Sequence, residues 1–283
     1  MASSLSIVLL AGGYGTRLYP LTKACPKALL PLGDGEQLVL DWIWAGVQTI
    51  PGLTGAVLVS NHRFAEQFAR WRQQRRASLE VVDDGTSTPQ TRLGAMRDLL
   101  LALARVGAED DVLVLGTDNL FTWSLTEFVE FGKSRRPNAS VALRLVASVE
   151  QAKQCGVVEQ DREGRLVRCV EKPATPTSLT VSLCVYYIPV SCRHRVEEFV
   201  HAGGNADAPG HFLAWLVKQE RVYGWMTAGE WCDIGSLETY HAVAAHWPAV
   251  LSTRRPYAHK AERPPRSAFR GCPDGSRFRG RRK

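Results

Sequence analysis

Ser6-Ile7-Val8-Leu9-Leu10-Ala11-Gly12-Gly13-Tyr14-Gly15-Thr16-Arg17 is the stretch on which the fold turns. Its apolar first half predicts a buried strand, and the glycines end that strand in a loop. The loop is long: residues 12–37 hold five Gly and the prolines Pro20, Pro26 and Pro31. Loops of that length inside a compact domain are usually functional. Glycines after a strand let the backbone approach a phosphate, and successive N–H groups form an anion-binding concavity. Two familiar phosphate loops are excluded. The dinucleotide fingerprint needs a third glycine where Leu18 stands, and no Gly-Lys-Ser/Thr follows at Walker spacing. On the glycines alone, a phosphate cradle and an ordinary tight turn weigh the same.

Beyond this loop the periodicity predicts helices at 38–50, 63–75 and 92–106, with strands at 56–60, 79–82 and 112–116. The helix at 63–75 carries Phe64, Phe68 and Trp71 on one face. Strands alternating with helices of this length mean βαβ units, right-handed crossovers and a mostly parallel sheet with helices on both faces. Ligands of such sheets bind beyond the carboxyl ends of the strands, which singles out the loops after Ala11, Val82 and Leu115. The second half is richer in strands, at 141–146, 157–160, 166–170, 181–188 and 221–226, with a hairpin turn at Asp161-Arg162-Glu163-Gly164. Helices are expected at 193–201, 210–219 and 236–246. The fold class is therefore α/β: an open, mixed, mainly parallel sheet with a β-rich second portion.

The chain of 283 residues is ample for one large core, and 45% hydrophobic residues is ordinary for a globular protein. No apolar run has the length of a membrane span, and Met1-Ala2-Ser3-Ser4 lacks the basic start of a secretory signal, so a cytoplasmic location is expected. The seven cysteines form no C-x-x-C pair, which argues against a disulfide framework or a zinc site. The net charge of +7 is misleading about partners. Residues 254–283 hold eleven basic and two acidic residues, +9 in all, which leaves −2 for residues 1–253. A nucleic-acid partner is not indicated by a nearly neutral body. The division expected is a globular portion over 1–250 and a basic, disordered tail over 251–283.

Cations make the glycine loop more specific. Arg17 follows Gly15 by two residues, and Lys27 stands just after Pro26. A triphosphate and a departing pyrophosphate need positive charge close by. Arg grips phosphate oxygens in pairs, Lys supplies a point charge, and the prolines stiffen the loop that carries them. The full stretch Gly12-Gly13-Tyr14-Gly15-Thr16-Arg17-Leu18-Tyr19-Pro20-Leu21-Thr22-Lys23-Ala24-Cys25-Pro26-Lys27-Ala28-Leu29-Leu30-Pro31 resembles the signature of the sugar-phosphate nucleotidyltransferases. That signature reads G-G-x-G-T-R-L-x-P-x-T-x-x-x-P-K-x-x-x-P, and every specified position matches. The resemblance spans roughly residues 5–247 and implies a Rossmann-like nucleotidyltransferase fold. It implies that Ala11, Gly12, Gly13, Gly15 and Thr16 hold the nucleotide, that Arg17 assists pyrophosphate departure, and that Lys27 bridges the α-phosphate and the incoming sugar phosphate.

An in-line displacement at phosphorus also wants a divalent ion, and magnesium takes one or two carboxylates plus substrate phosphates. Asp118, just past a strand, and Asp233, in Trp231-Cys232-Asp233-Ile234-Gly235, are candidates, although an isolated Asp at such a junction is more often a cap or Asx turn. The resemblance implies that this pair shares Mg2+; Thr117 stands where the family commonly has Gly. It implies further that Gly156, Glu171, Lys172 and Val181 meet the sugar phosphate, through Cys155-Gly156-Val157-Val158 and Val170-Glu171-Lys172-Pro173. Leu183 and Cys155 depart from the glucose and thymidylyl pattern. The nucleobase loop falls at 82–94, with Asp84, Arg92 and Gly94 as contacts. Its D-x-G and T-x-x-R-L pattern is similar to that of glucose-1-phosphate cytidylyltransferases, a lean to CTP; Arg92 is read either as a contact to base or phosphates or as the start of a helix. The expected substrates are a nucleoside triphosphate and a sugar 1-phosphate, with a non-sugar phosphate or phosphonate acceptor, or a non-catalytic sensor of the same fold, as alternatives. Homo-oligomerisation is left open by the sequence.

Overall fold

The protein was analysed as a computed structural model that describes residues 4–33 and 37–253. The basic segment expected to be disordered begins at the end of that range, and residues 254–283 lie outside it. The elements in order are β1 (Leu5–Ala11), β2 (Pro31–Leu32), β3 (Gln37–Leu38), α1 (Val39–Val47), β4 (Leu53–Ser60), α2 (His62–Arg75), β5 (Glu80–Asp83), α3 (Ala95–Leu103), β6 (Asp111–Gly116) and β7 (Asn119–Phe121). They continue with α4 (Leu125–Ser134), β8 (Ala139–Leu145), α5 (Val149–Ala152), β9 (Gly156–Gln160), β10 (Leu166–Glu171), β11 (Thr180–Ile188), α6 (Val190–His201), α7 (Pro209–Gln219), β12 (Val222–Met226), β13 (Trp231–Asp233) and α8 (Leu237–Thr253).

Among the described residues nine strands form one mixed sheet, ordered β10-β9-β11-β6-β1-β4-β5, with β8 on β11 and β12 on β8. The first half supplies the parallel part: β1 lies between β4 and β6, and β5 extends β4, all parallel. The second half joins through β11, which runs antiparallel to β6, β8 and β9. Period-two alternation explains the two-sided burial. Ile7, Leu9, Leu113 and Leu115 face one core, with Trp44 of α1, Phe68 and Trp71 of α2, Phe128 of α4 and Trp247 of α8. Val8, Val57, Val112 and Val114 face the other, with Leu99 of α3, Phe199 of α6 and Leu213 of α7. The helices thus cover both faces, as expected.

Three differences from the sequence expectation bear on the site. Helix α3 begins at Ala95, not at residue 92. Gly94 stands at φ +90°, and a β-carbon there would lie 2.7 Å from the Ala206 carbonyl, so the helix cannot continue backward through it. Helix α4 was not expected; Ser124 caps it by accepting from the Glu127 N–H at 3.3 Å, an S-x-x-E pattern present in the sequence. Strands β7 and β13 were not expected either, and pair antiparallel as a separate two-stranded sheet.

Candidate active site

One cavity of about 850 Å³ opens beyond the carboxyl ends of β1 and β6 and reaches across to β9, β10 and β11. Of the residues singled out in the sequence, Ala11, Gly12, Gly13, Arg17, Lys27, Arg92, Gly94, Asp118, Gly156, Glu171, Lys172 and Asp233 line it. Gly15, Thr16, Asp84 and Val181 are not among the lining residues.

The amino-terminal loop is held by short-range bonds. Gly15 takes the left-handed conformation, φ +60°, and its carbonyl accepts from the Leu18 N–H at 2.8 Å and the Thr22 hydroxyl at 2.7 Å. Leu18, Leu21, Ala28 and Leu29 are buried, so the loop plugs into the core, while its cations Arg17 and Lys27 line the cavity. Two contacts from elsewhere fix its start. Buried Asn61, the N-cap of α2, donates to the Gly12 carbonyl at 3.0 Å, and the Tyr14 hydroxyl lies 3.0 Å from that of Thr86. Neither Asn61 nor Tyr14 was assigned a task from sequence; a buried Asn with its amide aimed at a loop carbonyl has no periodic signature.

Asp118 and Asp233 are brought together by the β7–β13 pair. Asp233 lies opposite Asn119, the Ile234 N–H donates to the Asp118 carbonyl at 2.9 Å, and the Trp231 indole donates to Asn119 Oδ1 at 2.8 Å. Gly116 is needed at the strand end, since a β-carbon there would stand 2.9 Å from Cys184 Sγ and 3.0 Å from Asp118 Oδ1. Thr117, where the family signature commonly has Gly, uses its hydroxyl to tie β6 to the Leu10 carbonyl at 2.8 Å. Lys27 Nζ donates to Asp118 Oδ2 at 2.7 Å. Burial by itself would raise the Asp118 carboxyl; Lys27 and the Asn119 amide outweigh it and hold the group below the usual range. Asp233 goes the other way. Burial and then the Asp118 charge push it up to about 6, against the pull of Lys27, Arg17 and Lys172. Arg17 comes close enough that a β-carbon on Gly235 would lie 3.8 Å from its Nη1.

These carboxylates suit a divalent cation. Two like charges pressed together, one raised by the other, are relieved by a cation between them. Among the described residues no group of three or more His, Cys, Asp or Glu gathers as a closed metal cage. Two carboxylates with cationic neighbours instead match an ion that keeps waters and takes substrate phosphates.

On the opposite wall, Glu171 is wedged between two glycines. A β-carbon on Gly210 would lie 1.8 Å from its Oε2, and one on Gly156 would lie 3.1 Å from the same atom. Lys172 beside it sits at φ 45°, uncommon for a residue with a side chain, and its N–H donates to the Cys155 carbonyl at 3.0 Å. Val181 is fully buried in the core, opposite Val157 in the strand register, so its side chain is packing and not part of this wall.

The loop at 82–94, expected to meet the base, is shaped in part by its own residues. Asp84 Oδ1 accepts from the Thr86 N–H at 2.6 Å, which uses the carboxylate as a turn former. Arg92 neither starts α3 nor reaches into the cavity alone. It grips Asp207 through two nitrogens at 3.1 and 2.7 Å and the Pro89 carbonyl at 2.9 Å, joining the loop at 82–94 to the loop before α7. Asp98 in the first turn of α3 also lines the cavity.

Among the described residues no helix is long and apolar enough to cross a membrane. The structure of a protein assigned as a glucose-1-phosphate thymidylyltransferase of Bacillus anthracis, in complex with a sucrose, superposes with a TM-score of 0.75. It covers 90% of this chain and 99% of its own at 20% identity, a likeness of fold. Mannose-1-phosphate guanylyltransferase 1 of Arabidopsis thaliana is 27% identical over 244 residues, 83% of this chain and 63% of that protein. A glucose-1-phosphate adenylyltransferase of Anaeromyxobacter sp. is 24% identical over 273 residues, 85% of this chain and 65% of that protein. The chain therefore spans less than two thirds of these relatives. The family model described as nucleotidyl transferase matches residues 6–249, the stretch that builds both cores and every wall of the cavity, and the chain belongs to that family.

Proposed function

We propose that the protein transfers a nucleotidyl group from a nucleoside triphosphate to a sugar 1-phosphate, releasing pyrophosphate, with Mg2+ as the divalent ion. The observation that carries this reading is the meeting of three cations, Arg17, Lys27 and Lys172, with two carboxylates, Asp118 and Asp233, in one cavity. Arg17 and Lys27 are suited to hold the polyphosphate and to offset the charge that grows on the departing pyrophosphate. Lys172 is suited to the acceptor phosphate, and Glu171 to sugar hydroxyls, which donate to a carboxylate. Asp118 and Asp233 would hold the Mg2+. When bound, that ion supplies charge neutralisation and orients phosphate oxygens. No side chain need form a bond to the substrate, because positioning and electrostatics suffice for such a displacement.

The relatives carry guanylyl and adenylyl names, so kinship does not select the base, and the lean to CTP rests on the loop pattern at 82–94 alone. The test is pyrophosphate release by the full chain with ATP, CTP, GTP, UTP and dTTP against hexose 1-phosphates, choline phosphate and a phosphonate. Release with a hexose 1-phosphate, abolished by EDTA and restored by Mg2+, is the expected result. Release confined to a non-sugar acceptor, or none with any pair, overturns the proposal.

A further inference from the structure

The buried carboxyl of Asp98 has no part in the scheme above. It occupies the apolar stripe of α3, beside Met96 and Leu99, and is 4% exposed. Among the described residues its Oδ1 has no hydrogen-bond partner. An unpaired buried charge is costly, and burial together with the nearby Asp84 charge pushes the carboxyl up to about 7. Structural reasons do not account for it: among the described residues no bond to a cap, turn or cation uses its carboxyl.

It lines the cavity. Gly12 and Asp98 touch so closely that a β-carbon on Gly12 would lie 2.2 Å from Asp98 Oδ2. Gly12 cannot swing away, because Asn61 holds its carbonyl. The glycine that the sequence suggests for phosphate approach is thus needed at least as much to make room for this carboxyl, whereas Gly13 beside it has open space. The charges that act on Asp233 are Asp118, Lys27, Arg17 and Lys172; the charge that acts on Asp98 is Asp84, of the base loop. The geometry agrees: the same β-carbon on Gly12 would lie 3.4 Å from Asp84 Oδ2, so the Asp98 and Asp84 carboxylates converge on one point, which sets Asp98 with the loop at 82–94 and apart from the polyanion. A carboxylate would repel phosphate, so the group it faces in a nucleotide must be a hydrogen-bond donor.

We propose that Asp98 reads the base, accepting from the exocyclic amino group of cytosine, guanine or adenine and rejecting uracil and thymine, whose carbonyl would face it instead. A site built around a buried acceptor discriminates strongly, because the wrong base leaves that acceptor unpaired. The inference rests on the nucleotide-binding part of the proposed function and on no acceptor.

The test is equilibrium binding of ATP, CTP, GTP, UTP and dTTP to the full chain at pH 8 with Mg2+ and no acceptor, followed by tryptophan fluorescence. Trp231 lies in the cavity wall as a reporter. The unmodified protein is expected to bind at least one amino-bearing nucleotide about tenfold or more tighter than UTP and dTTP. Asp98→Asn, which keeps the shape and adds an N–H donor, should cut that ratio by about tenfold, weakening the preferred nucleotide while strengthening UTP and dTTP. Asp98→Ala should weaken the amino-bearing nucleotide alone. A preference for UTP or dTTP in the unmodified protein, an equal change for all five nucleotides, or no measurable binding overturns the inference. Turnover is a separate readout: selective binding without pyrophosphate release would sink the transferase reading and leave this one standing.

Discussion

The two halves of the cavity's charged wall are made in opposite ways. The amino-terminal loop carries Arg17 and Lys27 on consecutive short turns, Thr16–Leu18, Leu21–Lys23 and Lys27–Leu29, bonded mostly to residues a few positions away. The carboxylate clasp joins Asp118 and Asp233 through β7 and β13, with the Trp231 indole bonded to a residue 112 positions away in the chain. A loop of the first kind is specified by its own residues. A clasp of the second kind exists only once the sheet has assembled around it. Cations can therefore be placed by local sequence, while the carboxylates that answer them depend on the whole fold.

Asp233→Ala is the largest test of that contrast. Loss of one of two charges aimed at the reaction centre should lower the rate of pyrophosphate release by about 10³-fold. The fold should not suffer. The carboxyl is raised from 3.8 to about 6, so whatever stability it lends is full below about pH 4 and gone once the pH has passed 6. At pH 8 the variant should melt at or above the temperature of the parent; a clear drop would show that the clasp holds the fold together as well as the metal.

Gly12→Ala probes the loop side. Its β-carbon would meet Asp98 Oδ2 at 2.2 Å, and overpacking of this kind costs about 1–3 kcal/mol. Chemical denaturation should show that loss, and adding Asp98→Ala should restore most of it, since the two residues share one space. Strictly additive losses would mean that the collision is relieved elsewhere and that the loop is less rigid than its bonds suggest.

Trp231→Phe should have the smallest effect. It keeps a ring but removes the indole bond to Asn119 at 2.8 Å, worth about 1 kcal/mol. Mg2+ affinity, read by titration in the presence of nucleotide, should fall by about tenfold, the scale seen when a group supporting a metal ligand is lost. Unchanged affinity would show that the strand pairing alone holds the clasp.

The same contrast explains what could be read from the sequence. Strands β1, β4, β6 and β11 and helix α2 announce themselves by apolar runs and spacing, because burial on a sheet face or helix stripe imposes a period. The loop with Arg17 and Lys27 is legible because its specification is local. Asp118 and Asp233 stand out as candidate carboxylates by their place near strand ends, but only the resemblance pairs them, since three-residue strands such as β7 and β13 carry no period and their pairing is remote. Helix α4 carries a local signal in Ser124 and Glu127, but its apolar face is short. Asp98 looked like any polar residue in a helix until its neighbours Gly12 and Asp84 were in place. Val181 is the reverse case, a residue expected at the sugar wall whose side chain is core, because alternation along β11 turns it inward.

The 2.7 Å contact between Lys27 and Asp118 has a bearing on the order of events. An ammonium already seated on the carboxylate competes with any bare cation that arrives, so the resting protein should be a poor scavenger of free Mg2+. A cation delivered on a triphosphate meets a different balance: the anion it brings offers Lys27 a new partner at the moment Asp118 is given up. The salt link would then act as a latch that nucleotide and metal can open together, and that neither opens well alone.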